Sequence, residues 1–124
     1  MMKKSFSLIV IMLAAVLSFS TNAFAAFSVT EPSVNLSGGT IAYGYGVIVN
    51  TSVGNHHDDL TIKLYRGNTL ISSTNVHLWN GAWIYPGSTT TPLIVLATGQ
   101  PAGNYHVVLS ASGDWNVKAN LTSY

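Results

Sequence analysis

From Phe27 onward the chain is a succession of short stretches rich in Val, Ile, Thr and Tyr, broken by Gly, Asn, Asp and Pro, and none of them shows a helical face. That punctuation predicts strands throughout. Leu60, Ile62 and Leu64 alternate with Thr61, Lys63 and Tyr65; Tyr105, Val107, Leu109 and Ala111 alternate with Asn104, His106, Val108 and Ser110. A period of two sends successive side chains to opposite faces, so each stretch offers one face to a core and one to water. Trp115, Val117, Ala119 and Leu121 repeat the pattern at the C-terminal end. Thr40 to Thr51 is the longest candidate strand. Pro32, inside Phe27 to Asn35, predicts an edge strand or one that changes sheets.

Gly67-Asn68 predicts a tight hairpin with positive backbone angles, and Ser112-Gly113-Asp114 a second hairpin joining the last two strands. Trp83 to Tyr85 and Thr91 to Leu96 read as short strands around a Pro86-Gly87 turn. About seven to eight strands without a helix predict an all-β, antiparallel sandwich. No repeat or linker divides it, so a single domain over 26–124 is expected.

The first 25 residues follow a different logic. A basic start (Met1 to Lys4), an apolar run (Leu8 to Leu17) and a small-x-small end (Ala23-Phe24-Ala25) form the layout of a cleaved secretory signal peptide, read here as a short helix of bacterial type. The apolar run is about ten residues, half of what a spanning helix needs, so no stable membrane anchor is expected after cleavage. Cleavage after Ala25 would leave 99 of the 124 residues, with three cations (Lys63, Arg66, Lys118) against four carboxylates, a net charge of −1. So few cations cannot neutralise a run of phosphates, which argues against nucleic acid as a partner. The chain has no cysteine, hence no disulfide and no thiolate chemistry.

Pro101-Ala102-Gly103-Asn104-Tyr105, followed by an alternating strand, resembles the Pro-x-Gly-x-Tyr approach to the penultimate strand of many bacterial immunoglobulin-like domains. The resemblance implies an immunoglobulin-like sandwich in which the Tyr105 hydroxyl leans back onto the preceding turn. The buried Cys, Trp, Cys core of antibody domains is absent. Tyr43-Gly44-Tyr45-Gly46-Val47 is similar to the Tyr-Gly-Asn-Gly-Val box of pediocin-like bacteriocins, with Tyr45 replacing Asn and without the cysteines that follow. Together with His56-His57 it is more loosely similar to lactococcin 972-type bacteriocins, which are β-sandwiches acting on a cell-wall precursor. Gly44 and Gly46 also read simply as relief of crowding, or as a bulge, in a long strand.

Two clusters carry possible chemistry. Trp79, Trp83 and Tyr85, with Tyr43 and Tyr45, pair flat apolar faces with hydrogen-bonding edges, which suits stacking on sugars or anchoring a protein partner. Asn80-Gly81 would place Trp79 and Trp83 on either side of one loop tip, while Trp83 or Trp115 would serve as a core tryptophan. His56, His57 and Asp58, with Asp59, fall in the expected loop between the second and third strands. They supply imidazole and carboxylate donors for a divalent metal, with His77 or His106 as a distant partner, or else form a solvated turn. Adjacent Asp58 and Asp59 are not a facing carboxylate pair, and no G-x-S-x-G elbow occurs, so an enzyme is not expected and no cofactor is implied. The expectation is a secreted, non-enzymatic protein binding a cell-envelope glycan or an extracellular protein. A bacteriocin-like competition factor and a metal-binding extracellular protein are the alternatives.

Overall fold

The computed structural model describes residues 27–124, so the expected signal peptide lies outside the described residues. Nine strands follow one another: β1 (Phe27–Thr30), β2 (Val34–Leu36), β3 (Gly39–Asn50), β4 (His57–Arg66), β5 (Thr69–Trp79), β6 (Trp83–Ile84), β7 (Ile94–Gln100), β8 (Gly103–Ala111) and β9 (Trp115–Ser123). Among the described residues no helix is long and apolar enough to cross a membrane.

The strands form two antiparallel sheets. One runs β1-β8-β4-β5, with β2 also on β8; in the other, β3 pairs β9 along one edge and β6 and β7 along the opposite one. Pro32 marks an edge, as its missing amide requires: β1 and β2 are two halves of one broken edge strand laid along β8. The alternating apolar residues of β4 and β8 (Leu60, Ile62, Leu64; Tyr105, Val107, Leu109) meet Ile41, Tyr43, Ile48 and Trp115 of the second sheet in one core. Each fully buried aliphatic there contributes roughly 1.5–3 kcal/mol. The layering is that of a sandwich.

Two turns depart from expectation. Gly67 alone takes a positive φ, +58°, so the β4–β5 hairpin has the left-handed residue only at its first position. The Ser112–Asp114 link is not a hairpin. It carries the chain from β8 in one sheet to β9 in the other, pinned where Thr51 N–H donates to the Asp114 carbonyl (2.8 Å) and Asp114 N–H to Ser52 Oγ (2.7 Å). Alternation shows which face of a strand is buried but not which sheet holds it, and a three-residue connection serves either geometry.

The long strand β3 breaks register on both sides. Its pairing with β9 jumps between Gly44 and Val47, and Tyr45, in this bulge, has φ 55°, the one non-glycine positive value among the described residues. A Cβ on Gly46 would lie 1.6 Å from the Lys118 carbonyl oxygen, and one on Gly44 would meet Leu93 Cδ2 at 2.6 Å. Both glycines are therefore explained by close approach, Gly46 to strand β9 and Gly44 to Pro86 and Leu93 of the segment between β6 and β7.

Candidate functional site

The chain leaves β5 at Trp79, turns through Asn80-Gly81-Ala82 and enters β6 at Trp83. Ala82 N–H donates to the Trp79 carbonyl at 2.9 Å, closing the turn. The turn is bolted to Asn50: Gly81 N–H donates to the Asn50 carbonyl (2.6 Å) and Asn50 N–H to the Ala82 carbonyl (3.0 Å). This rigid crossing from one sheet to the other leaves Trp79 52% and Trp83 64% exposed, on opposite sides of the turn. Trp115 is the core tryptophan, its indole N–H donating to the Ser112 carbonyl at 3.2 Å.

Trp83 and Tyr85 lie two residues apart, so they share a face, with β-carbons about 7 Å apart, while Ile84 turns inward onto the core. They line an open groove of about 370 Å³ together with part of Ile84 and a wall of Ser88, Thr90 and Thr91. Ser88 orders that wall: its N–H donates to the Tyr85 carbonyl (3.2 Å), and its Oγ accepts from Thr91 N–H (3.2 Å). Tyr45 supports the same loop. Its N–H donates to the Pro86 carbonyl at 2.8 Å, and Gly87, at φ +91°, lies so close that a Cβ would sit 2.9 Å from the Tyr45 ring. The strained turn at Tyr45 thus aims a half-exposed ring beneath the loop that walls the groove.

Tyr43 is corrected by its surroundings. It is fully buried, and its hydroxyl donates to the Glu31 carboxylate, so it belongs to the core and not to a ligand surface. Odd and even positions of β3 keep opposite faces only up to the bulge at Tyr45, and Tyr43 lies before it. Burial pushes both partners up: the Glu31 carboxyl above its ordinary value, although the Tyr43 bond opposes this, and the Tyr43 phenol far above its own.

The His-Asp cluster is likewise rearranged, because His57 to Asp59 lie in strand β4 and not in a loop. Alternation turns Asp58 inward and leaves His57 and Asp59 outside. Asp58, buried, accepts from Asn50 Nδ2 at 3.2 Å and lies 3.2 Å from His56 Nε2. His57 faces away, stacked at 4.3 Å on His77 and tilted against Trp79 at 3.9 Å. His56, His57 and Asp58 are therefore split between two faces, and among the described residues no group of three His, Asp or Glu side chains is placed to hold a metal. His77 instead donates from Nδ1 to Asp59 at 2.5 Å, and His106 stacks on Tyr65 at 5.2 Å.

Of the five aromatic candidates, Trp83 and Tyr85 come together in the groove, and Tyr45 packs against Gly87 of the loop that follows them. Trp79 stands apart on the first sheet, and Tyr43 is buried. The hydroxyl wall was not anticipated, although the run Ser88-Thr89-Thr90-Thr91 directly after Pro86-Gly87 was its visible signal. The His57–Trp79 contact follows from β4–β5 register, in which the two residues are directly opposite. Comparison with protein-family models, curated proteins and solved structures finds no match for this chain.

Proposed function

We propose that the chain is a secreted, non-enzymatic binding protein that takes an uncharged glycan of the cell envelope in the groove between Trp83, Tyr85 and the Ser88–Thr91 wall. The observation that carries this reading is the pairing of two exposed aromatic faces with a row of hydroxyls in one groove. Aromatic faces stack on the C–H faces of sugar rings, while hydroxyls exchange hydrogen bonds with theirs. The neutrality of the groove matters as much: no ionisable acid or base lines it apart from the Tyr85 phenol. Three of the four carboxylates are engaged elsewhere, Glu31 with Tyr43, Asp58 with Asn50 and Asp59 with His77.

The immunoglobulin-like assignment belongs to the same proposal. The Tyr105 hydroxyl donates to the Pro101 carbonyl at 2.5 Å, the contact that the resemblance implies. The last strand pairs β3 rather than β8, so the domain would be a variant of that architecture. The fold leaves the function open, and the groove argues for it.

Co-sedimentation with chitin, a neutral polymer of the N-acetylglucosamine also found in cell walls, and retardation in gels containing hydroxyethyl cellulose, test the reading. Wild type should bind at least one of these probes, and Trp83→Ala should lose about 10-fold or more in affinity. Binding to neither probe, or binding untouched by Trp83→Ala, would remove the groove as the site.

A further inference from the structure

The two sheets have exposed edges, and most are guarded. The β1–β2 edge carries Glu31 and Pro32, β9 carries the exposed Lys118, and β7 runs into Gly99 at φ +63°. Such charges, prolines and irregularities are what keep sheet edges from pairing with other chains. Strand β5 differs. It ends the first sheet, and from Ser72 to Trp79 it contains no proline and no Lys, Arg, Asp or Glu. Its one irregularity, the extra residue Ile71 opposite the Leu64–Tyr65 step, lies before that run.

The ladder shows which amides face outward. Asn80 N–H donates to the His56 carbonyl at 3.0 Å, which makes His57 and Trp79 a non-hydrogen-bonded pair. By alternation along β5, the N–H and C=O groups of Ser73, Asn75 and His77 point away from β4. Among the described residues nothing bonds them.

We infer that this edge pairs with the same edge of a second copy of the chain, antiparallel, about a two-fold axis at Asn75. In that register Asn75 faces its own counterpart and Ser73 faces His77 of the second copy. The outward groups then close about six backbone hydrogen bonds. Faces match as well as amides, because odd positions meet odd positions and the outer and inner surfaces of both sheets continue across the joint. The occupant is a second copy because the edge is complementary to itself: no ionised side chain opposes its like across the axis. The domain as a whole, three cations against four carboxylates, adds little long-range repulsion.

Sedimentation equilibrium and native mass spectrometry of the purified protein test this directly. Asn75→Pro removes a backbone N–H that points outward and makes no bond to β4, and gives up only the exposed side-chain bond from Thr61 Oγ1 (3.0 Å), so it should leave the fold intact and abolish pairing. Asn75→Lys places two like charges at the axis and should do the same. The expected result is a wild-type mass about twice that of either variant at matched concentration, with superimposable far-ultraviolet circular dichroism. A monomeric wild type at the highest soluble concentration, or a folded Asn75→Lys protein that remains a dimer, would overturn the inference. Should Asn75→Pro not fold, the lysine variant alone decides.

Discussion

The buried side chain of Asn50 donates to the Asp58 carboxylate at 3.2 Å, and the same amide donates to the Leu78 carbonyl at 3.1 Å. Through its side chain and backbone, Asn50 links the end of β3 to β4, β5 and the turn between Trp79 and Trp83. The geometry of the aromatic crossing therefore rests on a residue that is itself inaccessible.

Asn50→Ala should be costly for that reason. It strips the buried Asp58 carboxylate of one donor and frees Ser52 N–H, which donates to Asn50 Oδ1 at 3.0 Å. A loss of about 2–4 kcal/mol in chemical denaturation is expected. Asn50→Asp should be at least as harmful, since it sets two carboxylates against each other.

Gly46→Ala tests the close approach of β3 and β9. The added carbon would overlap the Lys118 carbonyl, and backbone on both strands would have to move. A cost of about 3 kcal/mol or more, or failure to fold, is expected. Gly81→Ala is the control: nothing lies within 4 Å of its Cβ position, and only the φ of +82° opposes it, at about 1 kcal/mol.

Tyr105→Phe removes the hydroxyl that bonds the Pro101 carbonyl while keeping the buried ring. Because Pro101 is exposed, water can replace part of the bond. The loss should be about 1 kcal/mol, a few degrees in Tm for a domain of this size.

Glu31 sets a pH dependence with a definite sign. Its folded-state pKa is raised, chiefly by burial, so its contribution to stability is full below the ordinary carboxylate value and is lost as pH climbs through the folded value. Glu31→Gln keeps an acceptor for the Tyr43 hydroxyl and cannot ionise. The variant should gain on wild type in Tm as pH rises from 4 to 7, modestly because the group is partly solvated. A variant that instead falls behind wild type at pH 7 would contradict the burial argument.

The strands were legible in the residues because alternation encodes them: β4, β8 and β9 bury the apolar positions that their period of two marks out. The edge role of Pro32 was equally legible, since a missing amide acts locally. What escaped depends on non-local pairing. The sheet that receives β9 is decided by contacts with β3, some seventy residues earlier in the chain. At the site, neighbours in sequence proved poor guides. His57 and Asp58 are adjacent yet face opposite ways, whereas His57 and Trp79 are far apart in the chain and touch. Tyr43 and Tyr45 read as equivalent, and the bulge between Gly44 and Val47 separates a core residue from a surface one.

The central claim is that the Trp83–Tyr85 groove binds neutral glycan by stacking. Calorimetric titration of soluble N-acetylglucosamine oligosaccharides or hydroxyethyl cellulose into wild type, the Trp83→Ala/Tyr85→Ala double variant and Trp79→Ala tests it most directly. The account predicts saturable binding by wild type and Trp79→Ala, lost in the folded double variant and little changed by added salt, since no ion pair is involved. Equal binding by the double variant, or binding abolished by Trp79→Ala alone, would contradict it.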